Sequence, residues 1–178
     1  MELPYPEFVN YFKTCQGSGV LVSKGDMNGK LRFSFTCSND TSYLQFKDIL
    51  GRRTLYVQLF SNEINIWDML KNRRFQPTEI QGRLPVLKFW EPSDITQILW
   101  GKIPTIKIQE TNQRSRFDHD STMVSFQTIN TAYGALVNDA QINLGGSNSS
   151  VVITITKREY KLFNEKLVRN IPTNIPWN

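Results

Sequence analysis

The sequence predicts a mostly β (α+β) fold: a curved antiparallel sheet with one short helix laid over it. Three observations carry that prediction. Apolar and polar residues alternate through much of residues 17–68. Short polar connections, such as Ser61-Asn62 and the two-glycine stretch 24–29, separate the alternating runs. A proline-bounded segment at about 77–104 then breaks the alternation before strands resume. Period-two alternation puts one face of a strand in a core and the other in water, which is the habit of an antiparallel sheet.

Residues 5–14 read as a short N-terminal helix, with Pro6 in the first turn and Phe8, Val9 and Phe12 on one face. A strand is expected at 19–23 and a second at 30–38, where Leu31, Phe33, Phe35 and Cys37 alternate with Arg32, Ser34, Thr36 and Ser38. The glycines of the connection between them suit a hairpin. Further strands are expected at 41–47, 53–60 and 63–68, with a short sixth at 73–76. Strands meandering at such short intervals form a curved sheet or part of a barrel.

Pro77, Pro85, Pro92 and Pro104 punctuate the next segment. Within it Ser93 reads as a helix N-cap, with Asp94 at the positive end of the macrodipole. Ile95, Ile98 and Leu99 share a helical face, and Gly101 and Pro104 end the helix. Strands are expected again at 105–110, 121–128, 135–144 and 151–157, and a last one around Tyr160, Leu162 and Leu167. Residues 111–121 read as a polar loop and 170–178 as a tail. No internal repeat is visible, so residues 1–178 read as one domain.

Hydrophobic residues make up 39% of the 178 positions and aromatics 12%, enough for a packed core and too many for a disordered chain. No apolar run reaches the roughly 18 residues of a membrane-spanning helix. The net charge of +5 suits an anionic partner, nucleic acid or membrane. The cations, however, come as doublets (Arg52-Arg53, Arg73-Arg74, Lys157-Arg158) and not as a dense stripe. Cys15, Cys37 and the single histidine, His119, have no metal-ligand spacing. A Cys15–Cys37 disulfide and two buried free thiols both remain open.

No nucleophile elbow, phosphate-binding loop or dinucleotide fingerprint is present. Asp118-His119-Asp120 sets a base beside carboxylates, but neighbours in an extended segment point apart, so a solvated loop is expected there. The expectation is therefore no enzyme, no metal and no cofactor. Aromatic and basic residues interleave at 30–35, as in sheets that stack bases. Because Phe33 and Phe35 fall on the face opposite Arg32, they read as core, and no nucleic-acid partner is expected.

The apolar side of the sheet and the apolar side of the helix suggest two layers facing each other. Phe33, Phe35, Leu44, Phe46, Leu55, Val57, Leu59, Ile64 and Ile66 would line the sheet wall, and Trp90, Ile95, Ile98 and Leu99 the lid. Such layers either enclose an apolar cavity or pack on one another as a dry core.

Residues 17–104 have a familiar order: Gly17-Ser-Gly19, a polar turn, an alternating aromatic strand, a second strand, Asp48-Ile-Leu-Gly51, two alternating strands, then Leu84–Trp90 and Ser93–Pro104. This order resembles the LolB family of outer-membrane lipoproteins, which accept other lipoproteins from a periplasmic carrier. There a strand leads into an Asn-Pro-Leu-Gly-like loop, and a later short helix ends in an Ile-Leu-Gly-x-Pro-like sequence. Here Asp48-Ile49 stand for the Asn-Pro, and Trp100 comes between Leu99 and Gly101.

The resemblance implies a half-open β-barrel with a helical lid and a cavity for acyl chains. It implies a lipoprotein acceptor or carrier at the periplasmic face of the outer membrane. Its expected partners are an acylated lipoprotein or other lipid, a LolA-like carrier and the membrane surface. The family's protruding loop leucine matches Leu50, so the resemblance makes Ile49 and Leu50 a membrane-insertion loop. No lipobox cysteine is present, since Cys15 follows Tyr-Phe-Lys-Thr; an anchor would lie upstream. The alternative on the same scaffold is a general apolar-ligand-binding or structural cell-envelope domain.

Overall fold

A computed structural model describes residues 3–25, 28–76, 78–80, 90–104, 123–144 and 148–172. Among these, nine strands form one antiparallel sheet in the order β6-β5-β4-β3-β2-β1-β9-β8-β7. The strands are β1 (Thr14–Lys24), β2 (Gly29–Ser38), β3 (Thr41–Lys47), β4 (Arg53–Leu59), β5 (Ile64–Asp68), β6 (Arg73–Arg74), β7 (Met123–Thr131), β8 (Gly134–Leu144) and β9 (Ser149–Tyr160). The first six meander, and the last three join through a β1–β9 pairing that brings residues 150–160 beside residues 15–24. Among the described residues β6 and β7 are the edges and do not pair, so the sheet is not closed into a barrel.

Helix α1 (Tyr5–Phe12) is two residues shorter than the expected 5–14. Lys13 takes φ 67° and donates its amide to the Val9 carbonyl at 2.8 Å, which turns the chain directly into β1. Phe8, Val9 and Phe12 are buried, as their shared face requires. Phe12 stacks on Tyr160 with ring centroids 4.4 Å apart, and Phe8 meets the same ring edge-on at 5.2 Å.

Helix α2 (Pro92–Trp100) is capped two residues before Ser93, the N-cap expected from the sequence. The N-cap is Glu91, and Pro92 takes the first helical position, where its fixed φ fits and its missing N–H costs nothing. Asp94 at the third position reaches back to accept from the Glu91 amide at 2.9 Å, closing a capping box. The helix ends where Gly101 adopts φ 91°, as its glycine suggested.

Other boundaries moved further. β1 starts at Thr14, five residues before the expected strand, because its early partners Thr36, Cys37 and Ser38 hold it in the ladder. β9 likewise runs on to Tyr160. No strand forms around Leu162 and Leu167. Instead, residues 165–169 make helix α3 (Glu165–Arg169), whose N-cap Asn164 accepts from the Leu167 amide at 3.0 Å. Residues 78–80 are helical. The expected strand at 105–110, the loop at 111–121 with His119, and residues 81–89 of the lid segment lie outside the described residues.

One face of the sheet carries the main core, joined by α1 and α2. The other face carries a small cluster of Tyr56, Trp67 and Leu167, where α3 crosses and Tyr56 donates its hydroxyl to the Leu167 carbonyl at 2.9 Å. β1 is the pivot of the inner face. Gly17 lies opposite Phe35 and Gly19 opposite Phe33, leaving room for both rings over its backbone. The register shift between Ser18 and Gly19 sits at the same place, and bulges of this kind raise local twist and bend the strand.

Candidate functional site: an apolar pocket and a protruding loop

Leu21, Leu31, Phe33, Phe46, Leu44, Val57, Leu55, Leu59 and Ile64 come to one side of the sheet through direct cross-strand pairs. These are Leu21↔Leu31, Phe33↔Phe46, Leu44↔Val57, Phe46↔Leu55 and Leu59↔Ile64. Ile153 joins them across the β1–β9 pair, opposite Leu21. Ile95, Ile98 and Leu99 of α2 close the other side. The residues enclose an apolar pocket of about 60 Å³ whose wall offers no polar surface. A water needs some 10–15 Å³ and two to four polar partners, so this space suits a few methylene-sized groups and not water.

Of the residues expected to line the sheet wall and the lid, Phe33, Leu44, Phe46, Leu55, Val57, Leu59, Ile64, Ile95, Ile98 and Leu99 do meet at this pocket. Phe35, Ile66 and Trp90 do not line it. All three are buried in the same core, and the Trp90 ring lies 6.2 Å from that of Phe126 in a stacked pair. The Trp90 indole N–H has no hydrogen-bond partner among the described residues. The sequence reading missed Leu21, Leu31 and Ile153. The first two alternate in phase with Gly19 and Phe33, a signal that was available; Ile153 depends on a pairing across more than a hundred residues, which leaves no local trace.

Helix α2 is fastened at its C-terminal end. Arg158 of β9 donates through Nε to the Leu99 carbonyl at 2.8 Å. Its Nη2 donates to the Ile98 carbonyl at 3.1 Å and to the Val137 carbonyl at 2.8 Å. A cation is favourable at the negative end of a helix, where the last carbonyls run out of intrahelical donors; the Ile98 carbonyl also accepts from the Gly101 amide at 2.9 Å. Tyr160 donates to the Trp100 carbonyl at 2.9 Å, the Trp100 indole to the Asn39 carbonyl at 3.2 Å, and the Val137 amide to the Gly101 carbonyl at 2.8 Å. Midway along, Ser42 and Thr96 share a buried hydroxyl hydrogen bond of 2.9 Å.

The connection between β3 and β4 is built to hold two apolar residues in water. Ile49 is 81% exposed and Leu50 73%. Asp48 Oδ1 accepts from the amides of Leu50 and Arg52, both at 2.9 Å, and Oδ2 accepts from the Arg52 guanidinium at 2.7 Å. Gly51 takes φ 80°, and its amide closes the turn on the Asp48 carbonyl at 3.0 Å. Burial alone would raise the Asp48 carboxyl, but its bonds to Arg52 and Leu50 outweigh that and hold it below the usual carboxylate range.

Cys15 and Cys37 are free, buried and directly opposite each other across β1 and β2. Burial pushes both thiols up, Cys37 to about 12, which removes the thiolate that nucleophilic chemistry needs. Among the described residues no group of three or more His, Cys, Asp or Glu could hold a metal, and no helix is long and apolar enough to cross a membrane. Phe33, Phe35 and Phe46 are buried, so they offer no exposed platform for bases. No protein-family model matches the chain, and no curated protein sequence matches it.

Proposed function

We propose that this protein binds acyl chains in the pocket beneath α2 and acts as an acceptor or carrier of lipoproteins at the periplasmic face of the outer membrane. In this reading the open sheet works as a half-open barrel, α2 is the lid, and no step is catalytic. The observation that carries it is the pairing of an all-apolar pocket with an apolar loop held out in solvent. Leu21, Leu31 and Leu55 of the pocket wall lie at the end of the sheet from which Leu50 projects. A chain released from the pocket therefore leaves beside the residue that enters the bilayer.

At about 60 Å³ the pocket admits only the end of a chain, so loading requires the lid to lift. Among the described residues the hydrogen bonds that tie α2 to the sheet crowd the Gly101 end, and in this reading that end is the hinge. Each methylene buried contributes about 0.8 kcal/mol, enough to hold a chain without polar recognition. The small volume also favours a second reading, a general apolar-ligand or structural envelope domain that takes a shorter ligand and delivers nothing to membranes.

A titration with an environment-sensitive fluorescent fatty acid, competed by a purified lipoprotein, tests the proposal. Saturable binding displaced by the acylated protein and not by its unacylated form is the expected result. Absence of saturable binding would mean that the apolar layers form a closed core. Leu50→Glu separates the two readings: it should leave folding and probe binding unchanged and abolish transfer into vesicles. Transfer at the wild-type rate would remove the role of the loop.

A further inference from the structure

The connections β3–β4 and β5–β6 turn at the same end of the sheet, one strand pair apart, and they are built alike. In the first, Asp48 Oδ1 accepts from the amides of Leu50 and Arg52. In the second, Asp68 Oδ1 accepts from the amides of Leu70 and Lys71, both at 3.0 Å. Each turn then passes through a residue of positive φ, Gly51 at 80° and Asn72 at 51°. Each commits its carboxylate to the backbone and leaves the leucine two positions later in solvent, Leu70 at 57%. Each is followed by an arginine pair, Arg52-Arg53 and Arg73-Arg74.

A second observation lies beside the first loop. Arg32, Lys47 and Arg53 stand directly opposite one another on β2, β3 and β4. All three are exposed, and none forms an ion pair among the described residues. Like charges in register across a sheet are destabilising, so the fold carries this row at a cost that an anionic layer over it would remove. A groove of about 640 Å³, lined by Arg32, Lys47, Ser34 and Gln45, runs from the row to Ile49 and Leu50.

We propose that this end of the sheet is a two-pronged docking surface for an anionic phospholipid bilayer. Leu50 and Leu70 enter the acyl layer while Arg32, Lys47 and Arg53 lie among the phosphates. The proposal rests on the reading above only in taking Leu50 as a residue that inserts. Isolated apolar tips above a collar of cations match a surface whose apolar interior lies beneath a charged layer. A protein interface would instead require a continuous packed centre.

Flotation with two kinds of vesicle tests it: phosphatidylcholine alone, and three parts phosphatidylcholine to one part phosphatidylglycerol. The wild type should partition onto the anionic vesicles, less so as salt rises. Leu70→Ser and Leu50→Ser should each weaken partitioning onto both kinds about tenfold. The triple variant Arg32→Ser, Lys47→Ser, Arg53→Ser should weaken binding to anionic vesicles about a hundredfold, at roughly fivefold per cation, and flatten the salt dependence. Wild-type partitioning by Leu70→Ser overturns the second prong, and an unchanged salt dependence in the triple variant overturns the headgroup contact. Failure of the wild type to float overturns the whole proposal. Fatty-acid probe binding, measured on the same samples, should stay unchanged in every variant. A wild type that floats as described yet binds no probe sinks the acyl-carrier reading and leaves bilayer docking standing.

Discussion

The ring of Phe33 lies across the backbone of Gly19, its partner on the neighbouring strand. A Cβ at Gly19 would fall 2.8 Å from Phe33 Cε1 and 2.5 Å from the Thr154 carbonyl oxygen. Gly19→Ala should therefore destabilise the protein by about 1–3 kcal/mol, the usual cost of forcing a methyl group into a packed interior. Urea unfolding measures it. Phe33→Leu in the Gly19→Ala background should recover the part due to the ring and leave the part due to Thr154, so the two changes should not add. An unchanged midpoint in Gly19→Ala would show that the ring and strand move aside freely.

The same pair shows what the sequence could and could not tell. Alternation at Leu31, Phe33 and Phe35 was legible because one wet face and one dry face leave a period-two record. From that record seven residues of the pocket wall could be named, since a strand that alternates must put them on one side, and helical spacing added Ile95, Ile98 and Leu99. Gly17 and Gly19 mark where rings cross β1, but a glycine records only the absence of a side chain. The β1–β9 pairing left no local sign, and with it went Ile153 and the role of Arg158. Leu162 and Leu167 were read as strand because two leucines in a short segment fit several periods. The Asn164 cap and the burial of Leu167 against Tyr56 decide for helix.

Arg158 ties α2 to β8 through two carbonyls of the helix and one of the strand, so its loss should be felt at α2 before the rest of the fold. Arg158→Ala should cost about 2–4 kcal/mol, since hydrogen bonds to a charged group contribute about 1.5–3 kcal/mol each and part is recovered by water. Arg158→Lys should recover less than half, because an ammonium cannot span the fork. Hydrogen exchange separates local from global effects. Amides of residues 98–102 should lose protection in Arg158→Ala by more than those of β3 and β4. Equal loss throughout would make Arg158 an ordinary contributor to stability and not a local fastening of α2.

The depressed carboxyl of Asp48 gives the β3–β4 loop a defined pH dependence. Its folded pKa lies below that of the unfolded chain, so the stabilisation it supplies is complete above about pH 3.9 and is lost as pH falls through the folded value. Following the Asp48 carboxyl carbon by NMR should give a midpoint below the range of free aspartates, and Arg52→Ala should move it up. The Leu50 and Arg52 amides should shift with the same midpoint. A titration at or above the ordinary value would mean that Asp48 does not hold the loop.

The pocket can be filled from one of its own wall residues. Leu21 is only half-buried, and it borders the space between Leu31 and Ile153. Leu21→Trp should turn its ring into the cavity, bury more apolar surface at about 25 cal/mol per Å², and leave the urea midpoint unchanged or raised. Fatty-acid probe binding should then fall more than tenfold. Leu44→Ala should act in the opposite sense. Removing a buried wall residue costs about 2–5 kcal/mol and enlarges the cavity, so a destabilised protein should bind the probe at least as well as the wild type. The pair distinguishes occupancy of this space from general stickiness of a loosened fold, because affinity should follow cavity volume and not stability. A folded Leu21→Trp variant that binds the probe like the wild type would place the ligand somewhere else on the molecule.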